Sequence, residues 1–99
     1  MVELLEKIKF ITDKHSTLSN PYRIMIIFII WKNKQATWTE IKDFMESKLG
    51  KINPNTLHFH LKALLESKYI KRINEGEKFV YMTNQLNEDL LSEFKEITE

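Results

Sequence analysis

In residues 53–67, Asn-Pro-Asn-Thr-Leu-His-Phe-His-Leu-Lys-Ala-Leu-Leu-Glu-Ser, the side chains able to do chemistry fall on one side. At about 100° per residue, Asn55, Phe59, Lys62 and Glu66 point away from Leu57, Leu61, Leu64 and Leu65, with Thr56 and Ala63 on a shoulder. Amide and hydroxyl groups in such a row suit base edges, a lysine suits phosphate, and an apolar ring can meet a thymine methyl. A helix serving only a core would not normally offer solvent a Phe set among Asn, Thr and Lys. Phe59 has three readings at this level: groove contact, packing against a neighbouring element, or an anchor for a partner protein.

Other chemistries are less well served. His58 and His60 are two residues apart on a helix, so they diverge by about 200° and cannot share one ion within a chain. His15 has no acid or thiol companion at ligand spacing. No cofactor and no metal site is expected. The absence of cysteine excludes disulfides and thiolate metal sites. There is no Gly-rich phosphate loop, no nucleophile beside a histidine in a strand-turn-helix context, and no carboxylate pair at a credible spacing, which excludes the common enzyme classes.

The elements around this stretch can be read in order. Asn53 is a helix cap, with Pro54 at the first helical position, where a missing N–H costs nothing. Residues 2–14 place Leu4, Leu5, Ile8 and Ile11 on one stripe, an amphipathic helix too short to stand alone. Residues 15–19 are a polar link. Ser19-Asn20-Pro21 repeats the cap-then-proline signal and opens a helix to about Asn33. Its β-branched run, residues 24–31, would equally suit a buried strand by composition, but the start signal and length decide for helix. That run is far short of the roughly 18 residues a membrane span needs. Glu3 and Glu6 make residues 1–14 unlike a signal peptide.

Residues 36–38 form a very short strand, and Thr39 caps a helix over residues 40–48 with Ile41, Phe44, Met45 and Leu49 inward. Gly50 ends that helix. Residues 69–74 and 78–83 are strands of a hairpin turning at Glu75-Gly76-Glu77. On its second strand Val80 and Met82 share one face, Phe79 and Tyr81 the other. Residues 84–98 form a last amphipathic helix with Leu86, Leu90, Leu91, Phe94 and Ile97 on its stripe. Trp31 and Trp38 fall at packing positions. The fold class is therefore mainly α with a small β-hairpin, in one domain of 99 residues.

Helix, short strand, helix, turn, helix, hairpin is the order of a winged helix-turn-helix, here with extra N- and C-terminal helices. Asn55-Thr56-Leu57-His58-Phe59-His60-Leu61-Lys62-Ala63-Leu64, then Tyr69-Ile70, then Phe79-Val80-Tyr81-Met82-Thr83, resembles the recognition helix and wing of prokaryotic ArsR-like and MarR-like regulators. Ser19-Asn20-Pro21-Tyr22-Arg23-Ile24 resembles the opening of their first core helix. The resemblance covers residues 15–83. It implies a homodimeric transcriptional regulator of double-stranded DNA, with recognition helices 53–67 in successive major grooves and wings 70–83 on flanking backbone or minor groove. Matching DNA-binding positions are Asn55, Thr56, Phe59, His60 and Lys62 on the helix and Arg72, Asn74 and Lys78 on the wing. Two departures stand out. Phe59 replaces the small polar residue or Arg usual there, and the cysteine pair by which many ArsR-like members sense metals is missing.

Charge is distributed to match. Net charge is only +1, but residues 51–82 carry six cations against three acids, and residues 83–99 one cation against five acids. A basic block followed by an acidic tail suits a DNA-facing half and a half turned from phosphate. The two terminal stripes find no obvious room in a core this small. Pairing Leu4, Leu5, Ile8, Ile11, Leu86, Leu90, Phe94 and Ile97 across a two-fold would bury both, making residues 1–14 and 84–99 dimerisation helices. The chain is expected in the cytoplasm, away from membranes. An effector is left open, since no pocket signature is legible. A rival of another class is a winged helix serving as a protein-interaction module of the transcription machinery, which near-neutral charge and Phe59 favour. A nonspecific DNA-coating protein is disfavoured by the acidic last helix.

Overall fold

The computed structural model of the chain describes residues 4, 6–8 and 20–98. Residues 4 and 6–8 are helical, as their stripe predicts, while Leu5, Ile11 and the link at 15–19 lie outside the described residues. Helix α1, Pro21–Asn33, is capped by Asn20, whose Oδ1 accepts from the Tyr22 N–H at 2.8 Å. Its seven successive residues Ile24 to Ile30 are all buried, so the β-branched run is helix and the centre of the molecule. A helix apolar all round must be surrounded. Helices α2 (Trp38–Leu49) and α3 (Pro54–Glu66) and the second strand of the hairpin pack on it.

The start of α2 corrects the predicted cap. Thr37, not Thr39, is the cap: its Oγ1 accepts from the Glu40 N–H at 3.2 Å, and Glu40 Oε1 accepts from the Thr37 N–H at 2.9 Å. The reciprocal pair satisfies two orphan donors, whereas Thr39 would have Lys42 at the answering position, with no acceptor to offer. The short strand expected at 36–38 is one residue. Ala36 donates to Tyr81 O at 3.0 Å and accepts from the Tyr81 N–H at 2.8 Å.

The turn between α2 and α3 is built from both sides. Gly50 takes φ +82 and donates to Glu46 O at 2.9 Å, ending α2. Glu46 Oε2 accepts from the Ile52 N–H at 3.0 Å, and Oε1 accepts from Lys42 Nζ at 3.1 Å. The Ile52 N–H first, then Lys42, hold the Glu46 carboxyl below its ordinary pKa. Asn53 caps α3 by accepting from the Asn55 N–H at 2.8 Å. At the far end, Lys68 donates to Leu65 O at 3.1 Å and Tyr69 to Leu64 O at 3.0 Å, a Schellman motif. It puts Lys68 at φ +66, the left-handed position glycine favours. Asn84 closes the exit by donating from Nδ2 to Lys68 O at 2.8 Å.

Strands β1 (Ile70–Glu75) and β2 (Lys78–Thr83) pair antiparallel from Ile70↔Thr83 to Glu75↔Lys78. The loop is two residues, Gly76-Glu77, one shorter than the sequence suggests, with Gly76 at φ +68. Phe79 and Tyr81 share a face but not a fate. Tyr81 is drawn into the core beneath Ala36, while Phe79, farther out, is 52% exposed. Val80 is buried on the other face.

Helix α4, Glu88–Thr98, is capped by Asn87, whose Oδ1 accepts from the Leu90 N–H at 2.8 Å. Its stripe needs no second copy to be covered. Leu86, Leu90 and Phe94 are buried in the chain's own core, as is Ile8, with Leu4 and Ile97 partly buried against it. The Phe94 ring meets Phe28 edge-on at 5.3 Å and Trp31 at 5.4 Å. Covered within one chain, Ile8, Leu86, Leu90 and Phe94 do not by themselves call for a two-fold partner. Helix α1 has no polar face, and on this flank Phe94 of α4 covers Phe28 and Trp31.

Candidate nucleic-acid interface

The buried and exposed sides of α3 are those its sequence predicts, with one exception. Leu57, Leu61 and Leu64 are buried, and Asn55, Thr56, Phe59 and Lys62 are exposed. Phe59 is 63% exposed, so it does not pack beneath the hairpin. The exception is His60, only 7% exposed. It follows Leu57 by three residues and precedes Leu64 by four, which puts it on the apolar stripe. Its Nδ1 accepts from Arg23 Nε at 3.1 Å, and Tyr22 stacks on its ring at 5.6 Å. Burial foremost, then the Arg23 charge, pushes its pKa below the usual 6.5. The ring is an inward acceptor, and little of it is left on the face that Asn55, Thr56, Phe59 and Lys62 share.

On the hairpin, Arg72, Asn74 and Lys78 are all exposed. Arg72 lays its guanidinium over the Phe79 ring at 4.8 Å from the centroid. Arg72, Lys78, Phe79 and Tyr81 form one wall of an open cleft of about 570 Å³. Thr37, Trp38 and Thr39 at the start of α2, with His58 from α3, form the other wall. His58 stacks flat on Trp38, centroids 5.0 Å apart and planes 19° off parallel. The N-terminus of α2, the flank of α3 and two wing cations thus share one surface. Cations and a helix N-terminus are the groups that meet phosphate. Lys62 does not line the cleft but lies one turn along α3 from His58, on the same side.

Two contacts at this surface are not evident in the sequence. Arg23 stands 37 positions from His60, and nothing local links them. The Trp38–His58 stack likewise joins two helices. The capping box was legible, since Thr37-Trp38-Thr39-Glu40 has the required spacing. Among the described residues, no group of three His, Cys, Asp or Glu could hold a metal ion, and no helix is long and apolar enough to cross a membrane.

Comparison with known proteins gives one positive result. A model of the penicillinase repressor family matches residues 22–97, from the first turn of α1 to the last turn of α4. Neither the curated proteins nor the solved structures contain a match. This is a winged-helix DNA-binding family of transcriptional repressors rather than an enzyme class. The resemblance to ArsR-like and MarR-like regulators therefore stands as a winged helix-turn-helix regulator, not as that particular grouping. Matched through the helix-turn-helix, the wing and the last helix, the chain belongs to the penicillinase repressor family.

Proposed function

We propose that this chain is a sequence-specific repressor that binds double-stranded DNA as a homodimer, each α3 in a major groove and each wing on the flanking backbone or minor groove. One observation carries the reading: in a chain of this family, α3 turns Asn55, Thr56, Phe59 and Lys62 to solvent on one continuous face. Asn55 and Thr56 offer hydrogen bonds to base edges, and Lys62, Arg72 and Lys78 offer charge to phosphates. Asn74 sits at the wing, two positions from Arg72, and completes that edge. The chain works in the cytoplasm, where its DNA lies. Ile8, Leu86, Leu90 and Phe94 belong to the internal core, so the two copies meet through the half-covered remainder of those stripes, Leu4 and Ile97 among them.

The test is selection of binding sites by the full chain from random duplexes, followed by sequencing. The expected result is an inverted repeat with half-sites about one helical turn apart. Selection that enriches no sequence overturns the reading. It would favour a protein-docking role, for which exposed Phe59 and Phe79 speak.

A further inference from the structure

Phe59 is the most exposed large apolar side chain among the described residues, and it sits in the middle of the face turned to solvent. It is not loosely placed. The Arg23 guanidinium lies over its ring at 5.8 Å from the centroid, and the His60 ring meets it edge-on at 5.4 Å. Arg23 is tied to His60 through Nε, and the Tyr22 ring stacks on that of His60. Two residues of α1 and one of α3 thus brace a phenyl ring that solvent alone would leave free to turn. Ordering an interface side chain costs free energy on binding, and a braced ring has much of that ordering in place.

A phenyl ring can neither donate nor accept a conventional hydrogen bond. Against the oxygens and nitrogens of a guanine, adenine or cytosine edge it would strip water and return nothing. The major groove offers one apolar group, the thymine C5-methyl. We infer that Phe59 is a specificity-determining residue that reads a thymine methyl in each half-site, with Arg23 as the positioning residue that sets its ring. The inference rests on the DNA-binding reading above and adds to it which base is read at this point and by which atoms.

The experiment uses the full chain and the duplex it selects. Each thymine of a half-site is replaced in turn by deoxyuridine, which removes the methyl and leaves every hydrogen-bonding group in place. At one position the replacement should weaken binding roughly fourfold, the worth of one buried methyl group. Phe59→Ala should bind the thymine and deoxyuridine duplexes equally and should lose that thymine from its own selected motif. Arg23→Ala separates positioning from phosphate contact. Loss of a phosphate contact lowers both affinities together, whereas a misplaced ring lowers the ratio between them. A selected motif in which no deoxyuridine replacement changes affinity overturns the inference and leaves DNA binding standing. Failure to select any motif removes both.

Discussion

Truncating Phe94 to alanine separates a helix that completes its own core from one that waits for a second copy. The ring is fully buried within a single chain and contacts Phe28 and Trp31. Burying a Phe side chain contributes about 1.5–3 kcal/mol, and each well-placed aromatic pair adds about 0.5–1.5 kcal/mol. The neighbours cannot readily collapse into the gap, because Phe28 is also held against Trp31 at 6.2 Å and Phe44 at 6.5 Å. The loss should therefore match the usual cost of such a truncation, about 3–5 kcal/mol. Against the roughly 5–15 kcal/mol available to a domain of this size, that is severe. The thermal midpoint should fall by at least about 12 °C, at about 4 °C per kcal/mol. Urea and thermal unfolding followed by circular dichroism, over roughly a hundredfold range of protein concentration, provide the assay. A loss below about 1 kcal/mol would refute the packing argument. So would a wild-type midpoint that climbs with concentration while the variant's does not, for then the ring would be working between chains.

Further outcomes are expected for substitutions at five positions. Lys62→Ala should weaken binding to all duplexes alike and reduce the salt slope by about one, while Asn55→Ala should cost about 1–3 kcal/mol at one base pair only, both read by titration at several salt concentrations. His60 has a folded pKa below 6.5, so the unfolded chain takes up the proton first on acidification. Its contribution to stability is complete above about 6.5 and is lost as the pH falls through the lower folded value; His60→Gln, which keeps an acceptor for Arg23, should flatten that part of the urea-midpoint profile. Lys68→Gly relieves a left-handed lysine and should stabilise by about 1 kcal/mol in chemical unfolding. Glu46→Ala, which frees the Ile52 N–H and Lys42, should lower both the unfolding midpoint and DNA affinity, with Glu46→Gln milder in each assay.

The sequence is most legible where its signals are local. Asn20-Pro21, Asn53-Pro54 and Gly50 each mark a helix boundary through their own backbone chemistry, and each is where the structure puts it. The leucine stripe of α3 is equally local, because a helix shows its faces at a fixed angle per residue. The burial of His60 is hidden because a polar residue type obscures an apolar position; Arg23 and Tyr22, on another helix, make that position tolerable. The fate of Phe94 is illegible for a different reason. A stripe shows that a helix must be covered but does not name the cover, and here that is Phe28 and Trp31. The wing cleft has the same character, since Trp38 and His58 meet only when the turn at Gly50 sets the angle between α2 and α3.

The paired hydrogen bonds between Ala36 and Tyr81 fasten the hairpin to the strand-like link ahead of α2. Wing and helix-turn-helix therefore form a caliper whose jaws do not flex independently. In the proposed binding mode, a duplex that fails to fit the jaws must itself bend, twist or narrow to be gripped. The ease of that deformation depends on base pairs between the jaws that no side chain reaches. An operator for such a protein is then chosen partly by its stiffness, at steps that look silent in any tally of contacts.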